Sequence, residues 1–418
     1  MPLSNHPFWS HSLGGLTVFK YLGAACFIYA LCHLGMRTSL PSFFQTMQAR
    51  LFILLVVIAT WSYITVPSYV SWVKNGLLSY LSFVFLFLIT QSVVDSVSRF
   101  RWVLFTAISA VGFGSVYMLR EWQKFHGIYG EDFRPGWVVG DPNYFNAGAL
   151  LCLPVAFCLI SARRPRWERL YYLGCMLLTL AAITLGASRG GFIGLMAVSL
   201  YLILNVSHRL RNLVLLAALV IPLSLVLPSS PLHRLLHPGY DEEFGTSARL
   251  IAWQAGLNMI EEHPLGGVGL GNFKPLMVRY KVASMGTSET LQSVVSVAHN
   301  SFLEFAAELG IPGLLTFLGV LGWSYRTLAK VRRDAMRQGH LYFQQVTLGM
   351  QAGLLGFCVC AFFISGEYEK LFWLFIFLTM CLPTIYREAV KDPHVTGATV
   401  ERSSEEDPEG AQAGVLVA

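Results

Sequence analysis

Ten stretches of this chain carry no Asp, Glu, Lys or Arg: 51–66, 76–94, 102–119, 144–160, 170–186, 190–206, 212–228, 311–325, 343–365 and 371–386. An eleventh, 15–34, is interrupted only by Lys20. Most are near the roughly 20 residues a helix needs to cross a hydrocarbon layer. A soluble core of this size would show amphipathic stripes instead. Charged residues are 13% of the 418 and hydrophobic residues 54%, about half the charge of an ordinary soluble domain. The expected fold is an all-α polytopic membrane protein with eleven transmembrane helices, or twelve if a half-length helix lies near the N-terminus. The start lacks the basic n-region and cleavage site of a secretory leader.

Loop charge sets the orientation. One set of loops is basic: Arg37 and Arg50; Arg99 and Arg101; Arg163, Arg164, Arg166 and Arg169; Arg209 and Arg211; Arg326, Lys330, Arg332, Arg333 and Arg337. The alternate loops carry Lys74, Arg189 and Lys370. The basic set is therefore expected in the cytoplasm, with the N-terminus outside. The chain divides into helices 1–8 (1–228), an extracytoplasmic loop (229–300), a short helix with helices 9–11 (301–386), and a disordered cytoplasmic tail (387–418) rich in Glu, Ser and Gly. A shorter outward segment spans 120–143. In the long loop, Ser247 can cap an amphipathic helix with Leu250, Trp253, Leu257 and Ile260 on one face. The formal charge of +6 is spread as topology signals are, which argues against a nucleic-acid partner. All eight cysteines fall within apolar segments and read as packing residues.

Three places break the apolar monotony. Ala187-Ser188-Arg189-Gly190-Gly191 joins two uncharged helices with almost no loop, holding Arg189 at the membrane's outer boundary. There its guanidinium either pairs with a phosphate or snorkels from a helix end. Ser247-Ala248-Arg249 opens the loop helix, where a helix N-terminus and an arginine make an anion site; the alternative is a solvated Arg249. His299-Asn300-Ser301-Phe302-Leu303-Glu304 has capping-box spacing between Ser301 and Glu304. Its short helix should stop at Gly310, before Pro312. His299 just ahead of a helix N-terminus should stay neutral and able to accept a proton, or else it only helps the cap. Asp141-Pro142-Asn143 reads as a turn starting a helix, on the same side as the other three and so within reach of a polar substrate. Gly267-Val268-Gly269-Leu270-Gly271 follows no strand and reads as a tight turn rather than a nucleotide loop. His233 and His237 are spaced i,i+4, but Pro238 follows and no third ligand is evident, so no metal or other cofactor is expected.

These residues together resemble the O-antigen ligase and O-antigen polymerase superfamily of bacterial envelope glycosyltransferases. The resemblance lies in Ser188-Arg189-Gly190-Gly191; in Arg249-x-x-x-Trp253 leading to the stretch from His263-Pro264 to Asn272-Phe273; and in His299-Asn300, nine residues, then Gly310-Ile311-Pro312-Gly313. It implies an enzyme that moves a glycan from undecaprenyl pyrophosphate to an acceptor hydroxyl, on lipid A-core for a ligase or on another glycan for a polymerase. Arg189 and Arg249 would grip the pyrophosphate, His299 would be the base, and Asn300, Asp141, Asn143 and Trp253 would touch substrate. It implies residence in the bacterial inner membrane with the site facing the periplasm, and no need of metal or nucleotide sugar. A protein acceptor is disfavoured because the chain ends soon after its last helix. The competing class is a transporter or flippase of lipid-linked saccharide, which would place charges mid-helix; here only Lys20 is so placed.

Overall fold

The computed structural model describes residues 18–35, 46–66, 70–130, 133–136, 141–160, 165–205, 240–280 and 296–391. They form α1 (Val18–Gly35), α2 (Met47–Thr65), α3 (Val70–Val93), α4 (Val97–Tyr129), α5 (Pro142–Ile160), α6 (Arg166–Leu185), α7 (Arg189–Asn205), α8 (Tyr240–Glu262), α9 (Phe273–Tyr280), α10 (Ser301–Arg337), α11 (Leu341–Ala361), a 3-10 turn (Gly366–Tyr368) and α12 (Lys370–Lys391). No strand occurs among the described residues. Eight of these helices are long and apolar enough to cross a membrane: α2, α3 from Gly76, α4, α5, α6, α10, α11 and α12. α7 is apolar but shorter. The chain is thus an all-helical polytopic membrane protein. The expected span at 212–228, His233 and His237 lie outside the described residues.

Contacts at the helix ends fix an up-and-down bundle. At one end Gln48 Nε2 donates to Thr327 Oγ1 at 2.5 Å, Arg101 meets Glu168 at 3.4 Å, Arg332 meets Asn205 Oδ1 at 2.9 Å, and the Tyr386 hydroxyl donates to Gln338 at 2.9 Å. This is the basic end. At the other, the site end, Leu270 N–H donates to Ser62 Oγ at 3.2 Å, Arg134 reaches Gly186, and Ser301 donates to the carbonyl of Ile364 at 2.8 Å. Outward faces leave Trp61, Trp102, Leu170, Leu200 and Leu315 exposed, as lipid contact requires.

Helices that lack a water-driven reason to associate need close van der Waals packing, which small residues allow. α11 meets α5 in this way. A Cβ on Gly349 would lie 2.6 Å from Val155 Cα, and one on Gly353 would lie 2.6 Å from the Leu151 carbonyl oxygen. α7 enters the same core through Gly194, whose Cβ would stand 2.7 Å from Leu150 and 2.8 Å from Cys360 Sγ. Phe52, Phe83, Phe372, Trp373 and Phe377, all buried, fill the space between α2, α3 and α12.

Several element boundaries depart from expectation. α4 runs 33 residues, about 50 Å, so the outward segment at 120–143 begins as helix. It is followed by an extended piece that Glu121 holds by accepting the Gly136 N–H at 2.8 Å. α11 stops at Ala361, leaving 362–369 as a connector. α12 continues through Arg387 to Lys391, so the first five residues of the expected tail are helical, and the rest of it, 392–418, lies outside the described residues. In the loop, α8 starts at Tyr240, which puts Ser247 inside the helix and leaves it no role as cap. Its buried face is Ile251, Ala252, Ala255 and Met259 against Phe273, Met277 and Ala307, while Leu250 and Leu257 are exposed. Ile260 of the expected stripe also packs partly against this cluster, so the buried face is rotated from the expected one rather than opposite to it.

Candidate functional site

Arg189 is the first residue of α7, and the turn before it is tightly built. Ala187 has φ 45°, a left-handed conformation that costs a residue with a Cβ roughly 1–2 kcal/mol. Ser188 Oγ accepts the Gly191 N–H at 3.1 Å and caps the helix. A Cβ on Gly191 would lie 2.8 Å from Asn146 Nδ2, so the turn sits directly on α5. Arg134, from the extended piece after α4, closes it. Its Nε donates to the Gly186 carbonyl at 2.9 Å and its Nη2 to Asn143 Oδ1 at 3.1 Å. Asn143 in turn gives its backbone N–H to Asp141 Oδ1 at 2.7 Å, which starts α5. Arg134 therefore ties the Asp141 turn to the Arg189 turn.

Arg249 lies within α8 and not at its N-terminus, so the expected help from a helix end is absent. It is partly buried, and burial, then the charge of Arg189, pull its guanidinium below the ordinary value while Asp141 and Tyr144 oppose that. Charges act on one another this way only at short range through a poorly polarisable medium. Arg189, Arg249, Asp141 and Tyr144 thus share one region, drawn from α7, α8 and the start of α5.

His299 belongs to the same region. Burial, then Arg249, lower its imidazole below the ordinary histidine value; Asp141 opposes, and Lys274 of α9 adds to the lowering. Its backbone has φ 48°. Ala187 and His299 are the two residues other than glycine with positive φ among those described, and strained backbone of this kind gathers at functional sites. Around the His299 turn, Trp253 Nε1 donates to the Ala298 carbonyl at 2.9 Å, and the His299 N–H donates to Ser365 Oγ at 3.1 Å.

The cap of α10 is Asn300, whose Oδ1 accepts from Phe302 and Leu303 N–H at 3.1 and 3.2 Å. The expected capping pair is diverted. Ser301 donates to Ile364 and accepts the Gly366 N–H at 2.7 Å, and Glu304 accepts from Ser365. An asparagine one position earlier satisfies the helix end and frees Ser301 and Glu304 for the connector. Asn300 Oδ1 and Trp253 Nε1 are thus engaged at the turn that carries His299.

The short helix from Ser301 bends at Gly310, where φ is 70°. The glycine-rich stretch is folded against it. Val268 and Gly269 N–H donate to the carbonyls of Ala307 and Glu308 at 2.8 and 3.0 Å, and Ile311 N–H donates to Pro264 at 2.8 Å. A Cβ on Gly310 would come within 2.5 Å of the Leu265 carbonyl oxygen. These glycines let the two backbones meet. Sequence reasoning missed Arg134, Lys274, Tyr144 and Ser365. Arg134 could be noticed only as a cation in an outward segment, and nothing local marks Ser365, the last residue of a charge-free run. Among the described residues no three His, Cys, Asp or Glu come together as a metal site.

No curated protein matches this chain. A family model described as O-Antigen ligase matches residues 174–318, about a third of the chain. That stretch holds Arg189, Arg249, His299 and the Gly310 bend; Arg134, Asp141 and Ser365 fall outside it. Over residues 174–318 the chain is similar to the O-antigen ligase family, which supports a membrane glycan enzyme of the ligase and polymerase type.

Proposed function

We propose that this protein transfers a glycan from a polyprenyl pyrophosphate, undecaprenyl pyrophosphate in bacteria, to an acceptor hydroxyl at the periplasmic face of the inner membrane. What supports the reading is that Arg189 bears on Arg249 and Arg249 bears on His299, although the three come from separate segments of the chain. The membrane orientation rests on the basic end being the cytoplasmic one. His299 takes the acceptor hydroxyl's proton as its oxygen attacks the sugar C1. The bond from C1 to the pyrophosphate oxygen breaks, and the electron pair leaves with the lipid pyrophosphate. Arg189 and Arg249 stabilise the negative charge that grows there. Direct displacement inverts the anomeric centre. Asp141 and Asn143, beside the two arginines, meet the sugar hydroxyls, and Asn300 and Trp253 hold the His299 turn.

Deletion followed by glycolipid analysis tests the reading and sorts its two forms. Long chains lost from lipid A-core, with polymer left on the lipid carrier, mean a ligase; single-repeat products mean a polymerase. Long chains lost with the lipid-linked donor stranded on the cytoplasmic leaflet would instead indicate a flippase. Purified protein is expected to turn over in EDTA without nucleotide. Activity lost in chelator and restored by a divalent cation would defeat the metal-free part of the mechanism.

A further inference from the structure

Resting on the reading of His299 as the base, we infer that Ser365 and Glu304 are positioning residues that hold the His299 turn in its left-handed conformation, through a directed chain of hydrogen bonds. The His299 N–H donates to Ser365 Oγ at 3.1 Å, and the Ser365 hydroxyl spends its one proton on Glu304 Oε2. A hydroxyl has one donor and two acceptor sites, so this arrangement gives it a single orientation. Both residues are buried, Ser365 at 6% and Glu304 at 4% exposure, so water does not compete. A second link closes the ring: Ser301 donates to the Ile364 carbonyl at 2.8 Å and accepts the Gly366 N–H at 2.7 Å. The connector after α11 is thereby fastened to the first turn of α10 on both sides of Ser365.

The chain meets the backbone of His299, not its ring. The charges that shift the imidazole come from Arg249 of α8, Asp141 of the α5 turn and Lys274 of α9. Ser365 and Glu304 therefore set where the imidazole stands and take no proton from it. Glu304 lies within the stretch that the family model matches, and Ser365 lies beyond its end at residue 318.

The test is a cycle of purified variants assayed with a lipid-pyrophosphate donor. Ser365→Ala should lower the transfer rate about tenfold or more, since small misplacements of a catalytic group are costly, with KM for donor within about twofold because Arg189 and Arg249 remain. Ser365→Thr, which keeps the hydroxyl, should recover most of the rate. Glu304→Gln, which keeps an acceptor oxygen, should outperform Glu304→Ala. In a His299→Ala background, Ser365→Ala should cost nothing further, because the group it positions is gone. If Ser365→Ala folds poorly, Ser365→Cys carries the same test, being close in volume and weak in both hydrogen-bonding roles. A wild-type rate for Ser365→Ala or Ser365→Cys overturns the inference, as does an equal loss with and without His299. His299→Ala at wild-type rate overturns the base reading and takes this inference with it.

Discussion

Where α5, α7 and α11 cross, backbone meets backbone and glycine makes room. At the site end, buried hydroxyls, amides and carboxylates fasten one turn to another. The first region is specified by volume and the second by direction. A side chain added in the core has nowhere to go, whereas a polar group removed at the site leaves the bundle standing and lets a turn drift. The two regions should therefore fail in different ways, the core by losing folded protein and the site by losing rate.

The largest effect expected is in the core. Gly353→Leu would press a side chain on the Leu151 backbone, where even a Cβ would stand 2.6 Å from the carbonyl oxygen. Overpacking that side chains can absorb costs typically ~1–3 kcal/mol, and backbone yields less. Folded protein in detergent, measured by size exclusion, should fall to a small fraction of wild type. A normal yield with normal activity would show that α5 and α11 can separate freely, and would erase the contrast with the site.

Next comes His299. General bases typically contribute ~10²–10⁴-fold, so His299→Ala should lower transfer by that order at normal yield and normal donor affinity. His299→Gln retains hydrogen bonding without basicity and should be nearly as slow. Wild-type transfer by His299→Gln would reduce the histidine to a positioning group. A smaller loss, about tenfold or more, is expected for Arg189→Lys, since lysine keeps the charge but not the planar fork that pairs with phosphate oxygens. Equal rates for the two would show that charge alone suffices at the head of α7.

The same contrast explains how much could be read from the residues alone. Charge-free runs locate helices because the bilayer imposes one rule on every spanning segment, and α2, α5 and α6 lie where their runs predict. The turns that carry Arg189 and His299 were visible because a charge or a histidine between apolar runs is conspicuous. Their supports were not. Ser365 meets His299 across 66 residues and Arg134 meets Gly186 across 52, and no local pattern encodes such pairs. The loop helix shows the opposite failure: Ser247 and the Leu250–Leu257 stripe form a good local signal, but the face that packs against Phe273 and Ala307 is that of Ile251, Ala252, Ala255 and Met259.

The smallest effect expected is a shift in pH dependence, and it has two opposite signs. A base must be neutral to act, so transfer should fall as pH drops through the His299 pKa and level off above it. Burial first, then Arg249 and Lys274, lower that pKa, while Asp141 raises it. The acid limb of the rate profile should thus lie below the ordinary histidine value near 6.5, leaving His299 neutral at pH 7. Lys274→Gln removes a positive charge and should move the limb toward higher pH. Asp141→Asn removes a negative charge and should move it toward lower pH, whatever it does to the maximum rate through the acceptor or the arginines. The profile of kcat at saturating donor, measured for both variants beside wild type, separates these signs. Shifts in the same direction, or a limb that stays in place in both, would mean that the group titrating in the rate is not the imidazole at residue 299.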